Sequence, residues 1–132
     1  MIKVVCGFII HNNEILVAQN PLTHIYSHLW EFPGGKIEEK ETNFEAIIRE
    51  IKEELSLEVS PLFAFEPLEF YEKQVSLQLI ICRCSSNSFT LHHHDDASWV
   101  SMNQFANIDL APTDKVLFAK YRVAIEKYMN KT

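Results

Sequence analysis

The sequence predicts an α/β fold, a mixed sheet with helices packed on its faces. Three features lead there. Runs rich in Val, Ile, Phe and Leu, such as "IKVVCGFII" and "VSLQLIICRC", recur along the chain at strand length. Residues 42–55 contain no Pro or Gly and place Phe44, Ile47, Ile48, Ile51 and Leu55 at helical spacing. Residues 113 to about 129 read as a closing helix, with Val116, Leu117, Tyr121, Ala124, Ile125 and Tyr128 on one stripe. Several strands and two helices pack most simply in layers.

Taken in order, residues 2–11 form the first strand, and His11-Asn12-Asn13-Glu14 suits a hairpin turn because Asn tolerates a left-handed backbone. Residues 15–18 return as the second strand, and 20–28 read as a loop. A short strand is expected at 29–32, broken by Pro33-Gly34-Gly35. Thr42 followed by Glu45 is a capping box that starts the first helix. Residues 58–65, 69–84 and 89–92 read as strands, with a polar loop at 85–88. A loop at 93–97 leads into Trp99-Val100, and 102–107 reads as a helical turn.

At 132 residues the chain fits one domain, 1–132. No apolar run approaches the roughly 20 residues that span a bilayer, and the start reads as a strand rather than a signal peptide. Cys82 and Cys84 alternate within an apolar run, so they share a strand face as free cysteines commonly do. A reducing, cytoplasmic setting follows. The net charge is −6 and no basic footprint for nucleic acid is evident. The expected partner is a small molecule, with the chain a monomer or homodimer.

The acidic excess is concentrated: residues 38–58 hold eight Glu against Lys40, Arg49 and Lys52. On a helical wheel Glu50, Glu53 and Glu54 share a sector of roughly 100°, beside the apolar face. Like charges at these spacings repel by a few tenths of a kcal/mol per pair. A solvated charged face is the ordinary reading of such a cluster. A divalent cation would turn the repulsion into attraction, since hard cations take oxygen ligands from carboxylates, carbonyls and phosphates. The flanks favour the cation: Gly34-Gly35 could offer bare backbone, and Arg49 could clamp a carboxylate.

Gly35, Glu41 and Arg49-Glu50-Ile51-x-Glu53-Glu54, with five and seven residues between the groups, resemble the signature box of the Nudix hydrolases. Six specified positions coincide by chance roughly once in 10⁷ starting points, so the match is specific. "EFPGGKIE" and the region from Trp99 to Pro112 further resemble the MutT-like branch and the related CTP pyrophosphohydrolases. The resemblance implies an α/β/α sandwich around a mixed sheet. It also implies hydrolysis of a nucleoside diphosphate linked to a further group, with Mg²⁺ or Mn²⁺. Ser56 departs from the box, where the family usually has Gly at a left-handed helix end.

Carried over by position, the resemblance makes Glu50, Glu53, Glu54 and a carbonyl of the Gly34-Gly35 pair the metal-binding groups. Arg49 and Glu41 would support them, and Lys36 would meet substrate phosphate. The catalytic set is then Glu53, Glu50, Arg49 and Glu41. Relatives often add a Glu six residues before the tryptophan matching Trp99; here that position is His93, in the short loop "HHHDDAS". Asp95 or Asp96 could substitute as base or ligand, with Glu53 as the fallback. Relatives also carry Arg at the end of the second strand, where this chain has Gln19-Asn20.

The branch places a base-contacting Asn or Asp fifteen residues past that tryptophan, which is Asp114 in "APTDKV". As an ordinary helix-start Asp it would also suit the macrodipole. Ionised, it accepts from the N4 amino group of cytosine; an Asn would suit oxidised guanine better. Phe32, Phe70 and Tyr71 could stack on a base, though core packing is the commoner role. His92-His93-His94 matches no zinc spacing and reads as exposed loop. The expected activity is Mg²⁺-dependent conversion of a nucleoside triphosphate to monophosphate and pyrophosphate, tilted toward CTP, dCTP or 5-methyl-dCTP. The rivals are 8-oxo-dGTP hydrolysis, another nucleoside diphosphate derivative, or a binding module without catalysis.

Overall fold

The structure, a computed structural model, describes residues 1–129. The hairpin forms as its asparagines suggest: β1 (Ile2–His11) and β2 (Glu14–Gln19) pair antiparallel. Asn12 and Asn13 take φ of 48° and 61°, the mirror-image turn that matches strand twist. β1 is flanked on its other edge by β7 (Val75–Cys84), which runs parallel to it from Ile2↔Val75 to Ile10↔Arg83. A parallel neighbour requires a long crossover, and that crossover carries the first helix. The sheet runs β3 (Trp30–Glu31), β2, β1, β7, β5 (Val59–Ala64). Added to that path, β4 (Gly34–Lys36) pairs with β1, β6 (Leu68–Phe70) with β7 and β8 (Asp96–Val100) with β2.

Strand alternation sends β1's side chains to two cores. Cys6, Phe8 and Ile10 join Leu79, Ile81, Leu117, Ile125 and Met129 on the side of α3 (Pro112–Met129) and the one-turn α2 (Met102–Phe105). Val5 and Ile9 join Ile80, Ala46, Ile47, Ile51 and Leu55 on the side of α1 (Asn43–Leu55). The sheet is mixed and has helices on both faces, as expected. Of the expected stripe on α3, Val116 instead faces solvent at 50% exposure, while Leu117 and Ile125 are fully buried. Cys82 and Cys84 do share the α1-side core.

Four expectations about elements fail, each for a backbone reason. Gly34 and Gly35 do not only end a strand. They begin β4, pairing with Cys6 and Val5, because a residue without Cβ can press against β1's backbone. The expected strand at 69–84 is interrupted by the 3₁₀ turn Tyr71–Lys73, closed by Gln74 at φ 54°. Residues 89–92 form no strand; Thr90 N–H donates to the Leu55 carbonyl at 2.9 Å and His92 N–H to that of Glu54 at 3.0 Å. These are terminal carbonyls of α1 that no intrahelical donor reaches. The loop expected through residue 97 ends earlier, since Asp96 and Ala97 already pair with Gln19 and Ala18.

α1 begins with the expected capping box, Thr42 and Glu45 exchanging bonds of 3.1 and 2.9 Å. It ends on Ser56 at φ 54°, the left-handed conformation in which glycine is favoured. Ser56→Gly is therefore expected to stabilise the fold by about 0.5–1 kcal/mol in urea unfolding. The hydroxyl's 2.8 Å contact with His92 Nε2, lost in the variant, offsets part of the gain. Among the described residues no helix is long and apolar enough to cross a membrane.

Candidate active site

The site is built where α1 lies against β4. Arg49 is its hub. Its guanidinium grips Glu41 through Nε at 2.6 Å and Nη2 at 2.9 Å, and Nη2 also donates to the Lys36 carbonyl at 2.9 Å. Nη1 donates to Glu50 Oε1 at 2.9 Å and lies 3.4 Å from Glu53. One planar fork thus ties the loop before α1, the end of β4 and two helix carboxylates together. Arg49, with the Glu38 backbone amide, holds the Glu41 carboxyl down at about 2. A carboxylate lowered on folding stabilises fully above its ordinary value of 4.5, and the contribution is lost as pH falls toward 2. Arg49→Lys keeps the charge but cannot make both arms of the fork. It is expected to reduce kcat/KM by about 10- to 100-fold, the range for groups that orient metal-binding residues, measured in steady-state assays.

The carboxylates differ in environment. Glu53 is largely solvent-facing, its side chain 60% exposed, while Glu50's is 15% exposed. Glu50 packs so closely over Gly35 that a Cβ there would overlap its carboxyl group. Glu54 is mostly buried, and Oε1 has no hydrogen-bond partner. Burial, followed by the charges of Glu50 and Glu31, pushes its carboxyl up to about 8, against the Gly34 amide, which pulls it down. Among the described residues no three His, Cys, Asp or Glu side chains close a metal shell by themselves. The set nonetheless fits a hard cation that keeps several waters. An orphaned buried carboxylate oxygen and a glycine cradle under Glu50 are the features a divalent ion would complete.

Beside these carboxylates lies a cavity of about 240 Å³, lined by Glu31, Phe32, Asp114, Cys6, Tyr26 and Lys73 among others. Asp114 is buried there, its Oδ2 accepting from Phe32 N–H at 2.8 Å and its Oδ1 from the Thr113 hydroxyl at 3.2 Å. Asp114 lies in the first turn of α3, ties that turn to the chain after β3, and lines the cavity. Burial is the main force raising its carboxyl from 3.8 to about 7. Phe32 is 2% exposed and stacks on Phe105, so it is a core residue with one edge in the cavity. On the far wall Lys73 lies over the Tyr26 ring, 4.1 Å from its centre, and contacts its hydroxyl.

An acid raised on folding costs stability as pH climbs from its unfolded to its folded value. Asp114→Asn removes that cost while keeping an acceptor for Phe32 N–H. Its stability relative to the natural chain is expected to increase as pH rises from 3.8 to about 7. Urea unfolding at several pH values checks the sign.

The remaining expected residues are more scattered. Lys36 is exposed, its carbonyl held by Arg49. Asp95 accepts from Leu22 N–H at 3.2 Å, in the loop after β2, and Asp96 from Ala97 N–H at 2.8 Å, within β8. Asn20 is 1% exposed with neither amide atom paired, turned inward rather than toward solvent. Not all three histidines are exposed: His92 and His93 are, but His94 is buried and its Nε2 lies 2.8 Å from Glu31 Oε2. Glu31 and His94 were not predicted as site residues. A glutamate between Trp30 and Phe32 was the available signal for the first, and nothing local marked the second. Cys6 and Cys82 are kept as thiols by burial, which pushes Cys82 up to about 12.

A NUDIX domain model matches residues 1–121 of the sequence. The chain belongs to the Nudix family. A CTP pyrophosphohydrolase of Escherichia coli K12 is 32% identical over 119 residues, 86% of each chain. An 8-oxo-dGTP diphosphatase of Proteus vulgaris is 33% identical over 82 residues, 61% of this chain and 72% of that one. The solution structure of the E. coli ORF135 protein superposes with a TM-score of 0.75 at 30% identity, covering 94% and 92% of the two chains. This Nudix protein is thus a hydrolase of nucleotide pyrophosphate bonds in the MutT-like branch, and the family generally needs a divalent metal ion.

Proposed function

We propose that this Nudix hydrolase converts a cytosine nucleoside triphosphate, CTP, dCTP or 5-methyl-dCTP, to the monophosphate and pyrophosphate in a Mg²⁺-dependent reaction. The carrying observation is a cavity in which two carboxyl groups, Asp114 and Glu31, face the space beside the α1 carboxylates. Carboxyl groups suit a base that presents an exocyclic amino group. The 32% identity to a CTP pyrophosphohydrolase supports the same reading. The work would fall on the cytoplasmic nucleotide pool, by the single domain as monomer or homodimer, with no nucleic-acid or membrane partner.

In this reading Glu50, Glu54 and a carbonyl of the Gly34-Gly35 pair hold the ion, Mn²⁺ serving in place of Mg²⁺, and Glu53 completes the set. A bound divalent cation neutralises charge on the phosphoryl oxygens and lowers the pKa of the attacking water. Arg49 fixes Glu50 and Glu41 so that the carboxylates do not reorganise as charge develops. Glu53, held by Arg49 more loosely than Glu50 is and more exposed, receives the water's proton at its carboxylate oxygen. Lys73, which lines the cavity, and the exposed Lys36 at the end of β4 would serve as counter-charges to the triphosphate.

One observation favours a second reading, 8-oxo-dGTP hydrolysis. A carboxyl raised to about 7 is protonated in part of the population at neutral pH and can then donate to an oxidised guanine. Incubation with Mg²⁺ and CTP, dCTP, 5-methyl-dCTP, dGTP or 8-oxo-dGTP decides between them. Pyrophosphate and orthophosphate are both followed. Pyrophosphate released fastest from the cytosine nucleotides sustains the first reading; a preference for 8-oxo-dGTP replaces it with the second.

A further inference from the structure

His94 is an expensive residue to bury. Its side chain has no exposure, Nε2 sits 2.8 Å from Glu31 Oε2, and Nδ1 is enclosed with no partner. A polar atom enclosed by protein with no protein partner costs free energy that an apolar side chain would avoid. The His93 ring lies edge-on to it at 4.9 Å, which closes the pocket further. The hydrogen bond assigns the proton: placed on Nε2 it is donated to the carboxylate and leaves Nδ1 a bare acceptor. A proton on Nδ1 as well would be an orphaned buried donor.

The residue that His94 holds is the one between the two halves of the site. Glu31 lines the cavity with Asp114, and its charge is felt by Asp114 on one side and by Glu54 on the other. Among the described residues His94 is the side chain hydrogen-bonded to the Glu31 carboxylate, so without it no such bond fixes the orientation of Glu31 in the cavity. Backbone geometry provides the fixed points. Glu31 pairs with Ala18, and Ala18 pairs on its other edge with Ala97, three residues after His94. A side chain from the far edge of β2 thus reaches across to lock a side chain on the near edge.

We propose that His94 is a positioning residue for base selection, holding Glu31 so that the cavity presents a fixed acceptor to the exocyclic amino group of the nucleobase. This rests on the reading that a cytosine nucleotide occupies the cavity. CTP and UTP differ in the group concerned, an amino donor against a carbonyl acceptor, so their ratio of kcat/KM reports on Glu31 directly.

The experiment measures that ratio for the natural chain, His94→Asn, His94→Gln, Glu31→Ala and the double variant Glu31→Ala/His94→Asn, with thermal midpoints alongside. Asn is too short to reach Glu31, so His94→Asn is expected to lower the CTP-to-UTP ratio about tenfold. Most of the loss should lie in KM for CTP. Gln restores a donor at similar reach and should keep the ratio within about threefold. Glu31→Ala should lower it at least as much as His94→Asn does, and the double variant no further than Glu31→Ala alone. Equal losses on CTP and UTP in His94→Asn would show a purely structural histidine and overturn the proposal. So would an unchanged ratio in Glu31→Ala, which decides the matter even if His94→Asn does not fold. A natural chain that turns over UTP as well as CTP overturns the cytosine reading and this inference with it. A natural preference for CTP that His94→Asn leaves intact overturns the inference alone.

Discussion

Glu53→Gln is expected to lower kcat by about 10²- to 10³-fold, the scale seen when one preorganised electrostatic group is removed, while its thermal midpoint stays within about 2 °C of the natural chain. The separation follows from where Glu53 sits. Its side chain is 60% exposed and 3.4 Å from Arg49, a contact worth little to the fold. It is nonetheless on the wheel sector shared by Glu50 and Glu54, where the substrate complex would assemble. Paired kinetics and thermal melts check it. Turnover equal to the natural chain would remove Glu53 from the catalytic set and direct attention to Asp95 and Asp96.

The second large effect divides two adjacent glycines. Gly34→Ala is expected to destabilise the fold by about 3 kcal/mol or more, because the new Cβ would overlap the Val5 carbonyl oxygen and crowd Cys6 Cα. Those are backbone atoms of the central strand and cannot give way. For Gly35→Ala the three nearest atoms to the new Cβ all belong to the carboxyl group of Glu50. A side chain can move, so the fold should persist, but Glu50 would leave its place over β4. Loss of about 10²-fold or more in kcat with a near-natural melting curve is therefore expected for Gly35→Ala. Soluble yield and urea unfolding check the first variant, and kinetics with varied Mg²⁺ the second. One methyl group thus tests architecture at residue 34 and chemistry at residue 35.

Much of this was legible in the sequence because its signals are local. The Asn12-Asn13 turn, the Thr42–Glu45 capping box and the apolar stripe of α1 each depend on residues within a turn or two of one another. So does the wheel sector of Glu50, Glu53 and Glu54. What was missed depends on partners far along the chain. Thr90 and His92 have strand-like neighbours, yet their amides are taken by Leu55 and Glu54. Gly34 and Gly35 look like a break until β1 is brought beside them. His94 resembles its exposed neighbours until Glu31, 63 positions away, accepts its hydrogen bond. The backbone donor to Asp114 likewise comes from Phe32, 82 positions away. Local pattern gave the helix that bears Glu50, Glu53 and Glu54, and long-range contact decided which side chains line the cavity.

The parallel pairing of β1 with β7 has a consequence for how the molecule is made. The hairpin partner of β1 follows it within a few residues, but its other long neighbour spans Val75–Cys84. A ribosome adding about 5–20 residues per second needs several seconds to deliver that segment. Through that interval the most apolar strand of the protein, with Val5 to Ile10 all buried in the finished fold, has one edge open. Open apolar edges recruit other strands. The nascent chain, rather than the finished enzyme, is then the form most in need of a chaperone, and slow codons between residues 40 and 75 would lengthen its exposure.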